Sequence, residues 1–341
     1  MRMIGQRQTW LFTLWSWLVI WASLWVIGCS SKPEIIEISG TKMGTTYHIT
    51  VVADQLPPDD LAQQIDQLLS KVDYSMSTYK KDSEISRFNR LPVGQPFTIS
   101  QEFADVLHIS RQVWQQSNGA FDPTVGPLVN LWGFGPTATG EAIPSVDALD
   151  KALNTIGFEA IEVDGLILTK QKSIVLDLSA VAKGYAVDRV ANLLEMLALP
   201  DYLVEVGGEI RVSGFNPDGM LWRVAIEQPH LLASVDRVIA LTDSAIATSG
   251  DYRNYFERDG VRYSHTIDPR TGRPISHNLA SVTVLTDSCA EADAWATAFS
   301  VMGIEQSKKL AEKLDLATYM LVRQKNQFLP VVSSDFESYL D

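Results

Sequence analysis

Apolar and polar residues alternate over residues 35–39 and 46–52, which predicts two strands joined by a turn at Thr41 to Thr45. After the second strand the period lengthens: Leu61, Ile65, Leu68, Leu69 and Val72 stack on one face of a helix. Further helices are expected at 100–116 with Ser100 as cap, at 145–156, at 181–197, and from Ala290 to Met302 with Gly303 as the stop. Short apolar alternations broken by Gly, Pro and Asp dominate 202–285 and read as strands. Helices come early and strands mostly follow, without strict alternation. The expected fold class is therefore α+β, with mixed sheets and packed helices, in one catalytic body over residues 29–341.

The first 28 residues follow a different pattern. Arg2 and Arg7 precede an uncharged stretch from Trp10 to Ile27 that holds five of the nine Trp. A positive flank, a greasy centre and the exit Val26, Ile27, Gly28, Cys29 describe a signal peptide of lipoprotein type, cleaved before Cys29, whose sulfur would then carry lipid. An uncleaved membrane helix is the competing reading, since eighteen uncharged residues just span a bilayer. Either way the body lies outside the cytoplasm, and the expected location is the periplasmic side of the bacterial envelope, anchored by lipid to the inner membrane.

Charge narrows the function further. The chain has 28 Lys and Arg against 41 Asp and Glu, and losing Arg2 and Arg7 leaves 26 basic residues. Nothing in that balance could follow a phosphate backbone, so nucleic-acid binding is excluded as an expectation. Cys29 and Cys289 are the only cysteines, too few for a disulfide framework or a thiolate zinc site. Cys289 reads as a small packing residue.

Five polar clusters resist explanation by packing alone. Thr41 to Tyr47 places a glycine among hydroxyls, suited to a ligand's close approach or equally to a hairpin turn. Gly119 to Pro127 presents Phe121 and Asp122 between fixed prolines, or is a rigid helix exit. At Leu176 to Asp188 a strand should end in Asp177 and Ser179 where a helix begins, gathering free N–H groups, a carboxylate and Lys183 as an anionic phosphate would require; Asp177 or Ser179 as a simple helix cap is the plainer alternative. From Val261 to Pro274, alternation puts Val261, Tyr263, His265 and Ile267 on one strand face, with Thr248 to Tyr252 just upstream at another strand end. Finally, Asp293 and Thr297 share a helix face and offer two hard oxygens of the kind Mg²⁺ accepts, with a backbone carbonyl near Ala180 a candidate third; a back-bonded Thr and an exposed Asp would give the same letters.

Taken in this order, these segments resemble the ApbE family, the FAD:protein FMN transferases. The similarity rests on Met43-Gly44-Thr45, Ser83 to Asn89, Phe121 to Thr124, Asp177-Leu178-Ser179 with Ala182 to Tyr185 and Asp188, Thr248 to Tyr252, His265 to Pro269, and Ala292-Asp293 with Thr297. It covers nearly the whole chain after residue 35. The resemblance implies a Mg²⁺-dependent enzyme that takes FAD as substrate and moves its FMN half onto a Thr or Ser hydroxyl of another protein, releasing AMP. By similarity, Met43, Tyr79, Ala120, Phe121, Asp122, Asp177, Lys183 and Ile267 would line the FAD site, while Ala180 through its carbonyl, Asp293 and Thr297 would hold the metal. Some members carry Gly or Thr in place of Ala180 and Glu in place of Lys183. The implied acceptors are membrane redox subunits of the Na⁺-pumping NADH:quinone reductase or Rnf type.

The residues suit that chemistry. Phosphoryl transfer asks a protein to position an in-line nucleophile and neutralise charge spreading over non-bridging oxygens. The attacking hydroxyl must lose its proton, and an imidazole titrating near ~6.5 makes His265 the expected base, with Asp293 or Asp268 as alternatives. A FAD pyrophosphatase giving FMN and AMP, and a non-catalytic FAD-binding lipoprotein, remain the other functional readings. A solute-binding lipoprotein would show βαβ alternation, which is missing.

Overall fold

The computed structural model describes residues 33–135, 143–229, 234–250, 255–325 and 327–340. The signal segment, Cys29, Asp251 and Tyr252 lie outside the described residues.

Eight antiparallel strands form the main sheet, and their spatial order is their chain order. They are β1 (Glu34–Lys42), β2 (Thr45–Ala53), β3 (Asp201–Val206), β4 (Glu209–Ser213), β5 (Ser244–Gly250), β6 (Leu279–Thr286), β7 (Ala317–Gln324) and β8 (Gln327–Val332). The expected α+β class is what is found. The first turn is tighter than the sequence suggests: Lys42 pairs with Thr45, leaving only Met43 and Gly44, at φ 55° and 75°, to reverse the chain.

Period-two alternation sends successive side chains to opposite faces of this sheet. Ile49 and Val51 of β2, Tyr202 and Val204 of β3, and Val282 and Val284 of β6 enter the larger core under the helices. Val52, Val212, Ile246 and Leu285 enter a second core, closed by Trp222, Ile226, Ile239 and Phe336. Strand β6 is buried from Leu279 to Leu285, as a central strand covered on both sides must be.

Four helices carry the larger core: α1 (Leu61–Met76), α2 (Gln101–Gln116), α3 (Ser179–Met196) and α4 (Cys289–Met302). In α1 the stripe Leu61, Ile65, Leu69, Val72 and Met76 is buried, each such side chain contributing about 1.5–3 kcal/mol relative to exposure. Ser100 caps α2, accepting from the Phe103 N–H at 3.2 Å. The start of α4 is capped from another helix: Asp188 of α3 accepts from the Cys289 N–H (2.9 Å), the Ala290 N–H (3.0 Å), the Ser288 hydroxyl (2.8 Å) and Arg211 (3.1 Å). Among the described residues no helix is long and apolar enough to cross a membrane.

Helices α3 and α4 cross in backbone contact at Gly184. A Cβ on Gly184 would stand 2.3 Å from the Cys289 carbonyl oxygen, a distance that only main-chain movement could relieve. Gly184→Ala is therefore expected to lower unfolding stability by about 1–3 kcal/mol or more in urea denaturation. An unchanged midpoint would mean that the helices can separate freely.

Two expectations about strands fail, for local reasons. No strand leads into Asp177. The alternating Ile174, Leu176 and Leu178 are buried, but their segment is irregular. Its backbone is held by side chains and a loop: Asn89 accepts from the Leu176 N–H at 2.8 Å and donates to the Leu176 carbonyl at 2.9 Å, while the Asp177 N–H donates to the Pro123 carbonyl at 2.7 Å. The strand expected through His265 also breaks. Val261–Ser264 ends where the Thr266 N–H turns back to the Ser264 hydroxyl at 3.1 Å, and pairing resumes only at Ile267–Asp268.

Candidate active site

Helix α4 is apolar on almost every face, which fits a helix sealed between the sheet and α3. Asp293 in its middle is 6% exposed, and a carboxylate there demands a reason. Its Oδ2 lies 3.3 Å from the Gly184 N–H and 3.7 Å from Lys183 Nζ. Within α3 the helical repeat sets that same N–H against the Ala180 carbonyl one turn back. Thr297, half-buried, follows Asp293 by one turn on the same helix. The three predicted metal-holding groups thus come from two crossing helices. Among the described residues no three or more His, Cys, Asp or Glu come together as a metal cluster.

Lys183 faces a second buried carboxylate that sequence reasoning missed. Glu209, 4% exposed, opens β4 and accepts from Lys183 Nζ at 2.7 Å through Oε1, while its Oε2 is buried with no hydrogen-bond partner. The signal was Gly207-Gly208-Glu209: two glycines at φ 64° and 101° turn the chain and deliver an acid to a buried strand start. Two carboxylates therefore share one ammonium, and each group feels the imbalance. Burial raises the Asp293 carboxyl above its ordinary range against the opposing pull of Lys183. Burial and the neighbouring Asp293 charge push Glu209 up to about 8. For Lys183 burial alone would lower the value, but Asp293 and Glu209 together hold it above the usual lysine range. Two buried acids facing a single ammonium, both with carboxyls raised by burial, make a site that fits an added cation beside Asp293.

The β1–β2 turn closes on the same corner. The Gly207 N–H donates to the Thr46 carbonyl at 3.0 Å, and a Cβ on Gly207 would meet Thr45 at 2.8 Å and the Lys183 stem at 3.1 Å. Half-buried Met43 packs against the larger core, and a concavity of about 470 Å³ lies at the hairpin tip, lined by Thr41, Lys42, Gly44, Thr45 and Thr46.

The remaining predicted FAD residues lie on other segments. Ala120 and Phe121 bury their side chains, as does Ile267, so they offer a ligand mainly their backbone. Asp122 is engaged in its own loop, accepting from the Thr124 N–H (2.8 Å), the Thr124 hydroxyl (2.6 Å) and the Phe158 N–H (3.3 Å). Asp177 joins this loop through Pro123 and caps the Ser179 N–H at 2.9 Å. The cradle of free N–H groups expected at the start of α3 is partly occupied, since the Val181 and Ala182 N–H groups both return to the Leu178 carbonyl. Tyr79 stands on the loop after α1 with 82% of its surface exposed, presenting a ring that a flat ligand could stack on from solvent.

His265 sits in the break between short strands, partly buried, with its ring edge-on to Phe134 at 6.3 Å. Phe134 stacks on Phe256, which stacks on Tyr263, so the imidazole rests against a rigid aromatic pile. The strand Ile267–Asp268 packs against α4, the helix that carries Asp293. Asp268, one of the alternative bases, already accepts from the Arg270 main chain (2.9 Å), Nε (2.9 Å) and Nη2 (2.8 Å). Cys289 is fully buried, and burial pushes its thiol well up, as befits a packing residue.

Comparison with known proteins gives a consistent result. Residues 43–320 match the ApbE family. An FAD:protein FMN transferase of Vibrio cholerae is 45% identical over 95% of this chain and 99% of its own length. One from Haemophilus influenzae is 41% identical over 92% and 94%. The crystal structure of the Pseudomonas stutzeri flavinyl transferase ApbE, in its apo form, superposes with a TM-score of 0.85 at 38% identity, covering 91% of this chain and 98% of that one. The chain therefore belongs to the ApbE family.

Proposed function

We infer that this protein is a transferase that moves the FMN half of FAD onto a Thr or Ser hydroxyl of an acceptor protein and releases AMP. The observation that carries this reading is Asp293: a carboxylate buried in an apolar helix, one turn from Thr297, sharing one lysine with Glu209.

In the proposed reaction the acceptor oxygen attacks the phosphorus of the FMN half, the bond from that phosphorus to the bridging oxygen breaks, and AMP leaves with the bridging oxygen. His265 takes the hydroxyl proton, its ring steadied by Phe134. The Lys183 ammonium, kept charged by two acids, would offer its charge to the pyrophosphate from α3. The backbone of Ala120 to Pro123 and of Ile267 frames the dinucleotide, and Tyr79 offers it a stacking surface. Asp293, Thr297 and the Ala180 carbonyl would hold Mg²⁺, which when bound supplies charge neutralisation on the non-bridging oxygens. Lipid on Cys29 would tether the enzyme to the periplasmic face of the inner membrane, within reach of flavinylated redox subunits of the Na⁺-pumping NADH:quinone reductase or Rnf type.

The test is incubation of the leaderless protein with FAD, Mg²⁺ and a peptide bearing an exposed Thr, followed by intact mass analysis. Gain of one FMN by the peptide, with equimolar AMP and loss of both in excess EDTA, is the expected result. Free FMN with an unmodified acceptor would make the protein a pyrophosphatase, and full activity in EDTA would remove the metal.

A further inference from the structure

We propose that Glu209 is a positioning residue that holds the Lys183 ammonium away from Asp293, leaving the Asp293 carboxylate available to a divalent cation. This rests on the metal-dependent reading above and adds a residue to it. Lys183 Nζ lies 2.7 Å from Glu209 but 3.7 Å from Asp293, so the ammonium sits on the partner that has no place among the metal-holding groups. Its path there is built into the backbone. The Lys183 stem passes over Gly207, where a side chain would stand 3.1 Å from its Cδ, and the Gly207-Gly208 turn then delivers Glu209 to meet the ammonium. Glu209 is 4% exposed and its Oε2 has no hydrogen-bond partner, so its hydrogen bonding is concentrated in the Lys183 contact through Oε1. A buried carboxylate with one oxygen orphaned is costly to keep for packing alone.

The consequence is electrostatic. With Glu209 in place, an arriving cation meets a carboxylate whose nearest lysine is already engaged elsewhere. Without it, Lys183 closes on Asp293 as a buried ion pair, and the cation must displace a positive charge from its own ligand.

Mg²⁺ titration of the FAD-loaded, leaderless chain by calorimetry tests this, with the unfolding midpoint of each variant as a check on folding. Glu209→Asp keeps the charge but withdraws it by one methylene, and should weaken Mg²⁺ binding about tenfold or more, in the range usual for groups supporting a metal ligand. Glu209→Gln, nearly isosteric, should do the same and serves if the shorter side chain perturbs the fold. In a Lys183→Met background either change should become silent within about twofold, because the residue to be held is gone. Wild-type Mg²⁺ affinity in Glu209→Asp, or an equal loss with and without Lys183, would overturn the proposal while leaving the metal reading intact. Absence of Mg²⁺ binding to the wild type would overturn both.

Discussion

Asp293→Asn is expected to reduce FMN transfer by on the order of 10²–10³-fold or more, as loss of a preorganised electrostatic element at a phosphoryl-transfer site does. The same change should leave the unfolding midpoint at or above the wild-type value. Burial disfavours the ionised form of both acids, so replacing Asp293 removes one such buried carboxyl and leaves Lys183 paired with Glu209 at 2.7 Å. The shape is kept, and what is altered is the weak contact to the Gly184 N–H at 3.3 Å and the looser one to Lys183 at 3.7 Å. Lost turnover combined with retained or raised stability is the signature of a residue kept for chemistry at the expense of the fold. A matching fall in both would make Asp293 a structural residue.

Asp188→Ala should have the largest effect on stability, about 3–5 kcal/mol in chemical denaturation. This side chain, 7% exposed, terminates the first two N–H groups of α4 and pairs with Arg211. Its loss leaves those donors buried and unanswered, and frees the end of the helix that carries Asp293. Arg211 keeps Glu195 at 3.0 Å, so the guanidinium itself is not stranded. A cost below about 1 kcal/mol would show that water replaces the cap. Because Asp188 touches none of the proposed ligands, residual folded protein should still bind FAD.

The parts of this molecule that could be read from its sequence are those whose cause is local. The stripe of α1, the Ser100 cap and the β1–β2 turn each follow from residues a few positions apart. That Asp293 and Thr297 share one helix face could be read because one helical turn separates them. The failures lie where a distant group satisfies the backbone. Ile174, Leu176 and Leu178 alternate like a strand, but their ladder partner is the Asn89 side chain, 87 residues from Leu176. Around His265 the alternation is real, yet a hydroxyl at Ser264 captures the Thr266 N–H and breaks the pairing. Glu209 was hidden because Gly-Gly-Glu between strands reads as an ordinary hairpin turn; only burial and the approach of Lys183 from α3 single it out. Asp188 reads as part of the phosphate corner and proves to be a helix cap.

The most direct test is an anomalous difference map from crystals grown with FAD and Mn²⁺ in place of Mg²⁺. A single strong peak within about 2.0–2.3 Å of the Asp293 carboxylate, the Thr297 hydroxyl and the Ala180 carbonyl is the predicted result, a range set by ordinary divalent-cation to oxygen bonds. A peak lying elsewhere, or bound FAD with no peak between α3 and α4, would contradict it.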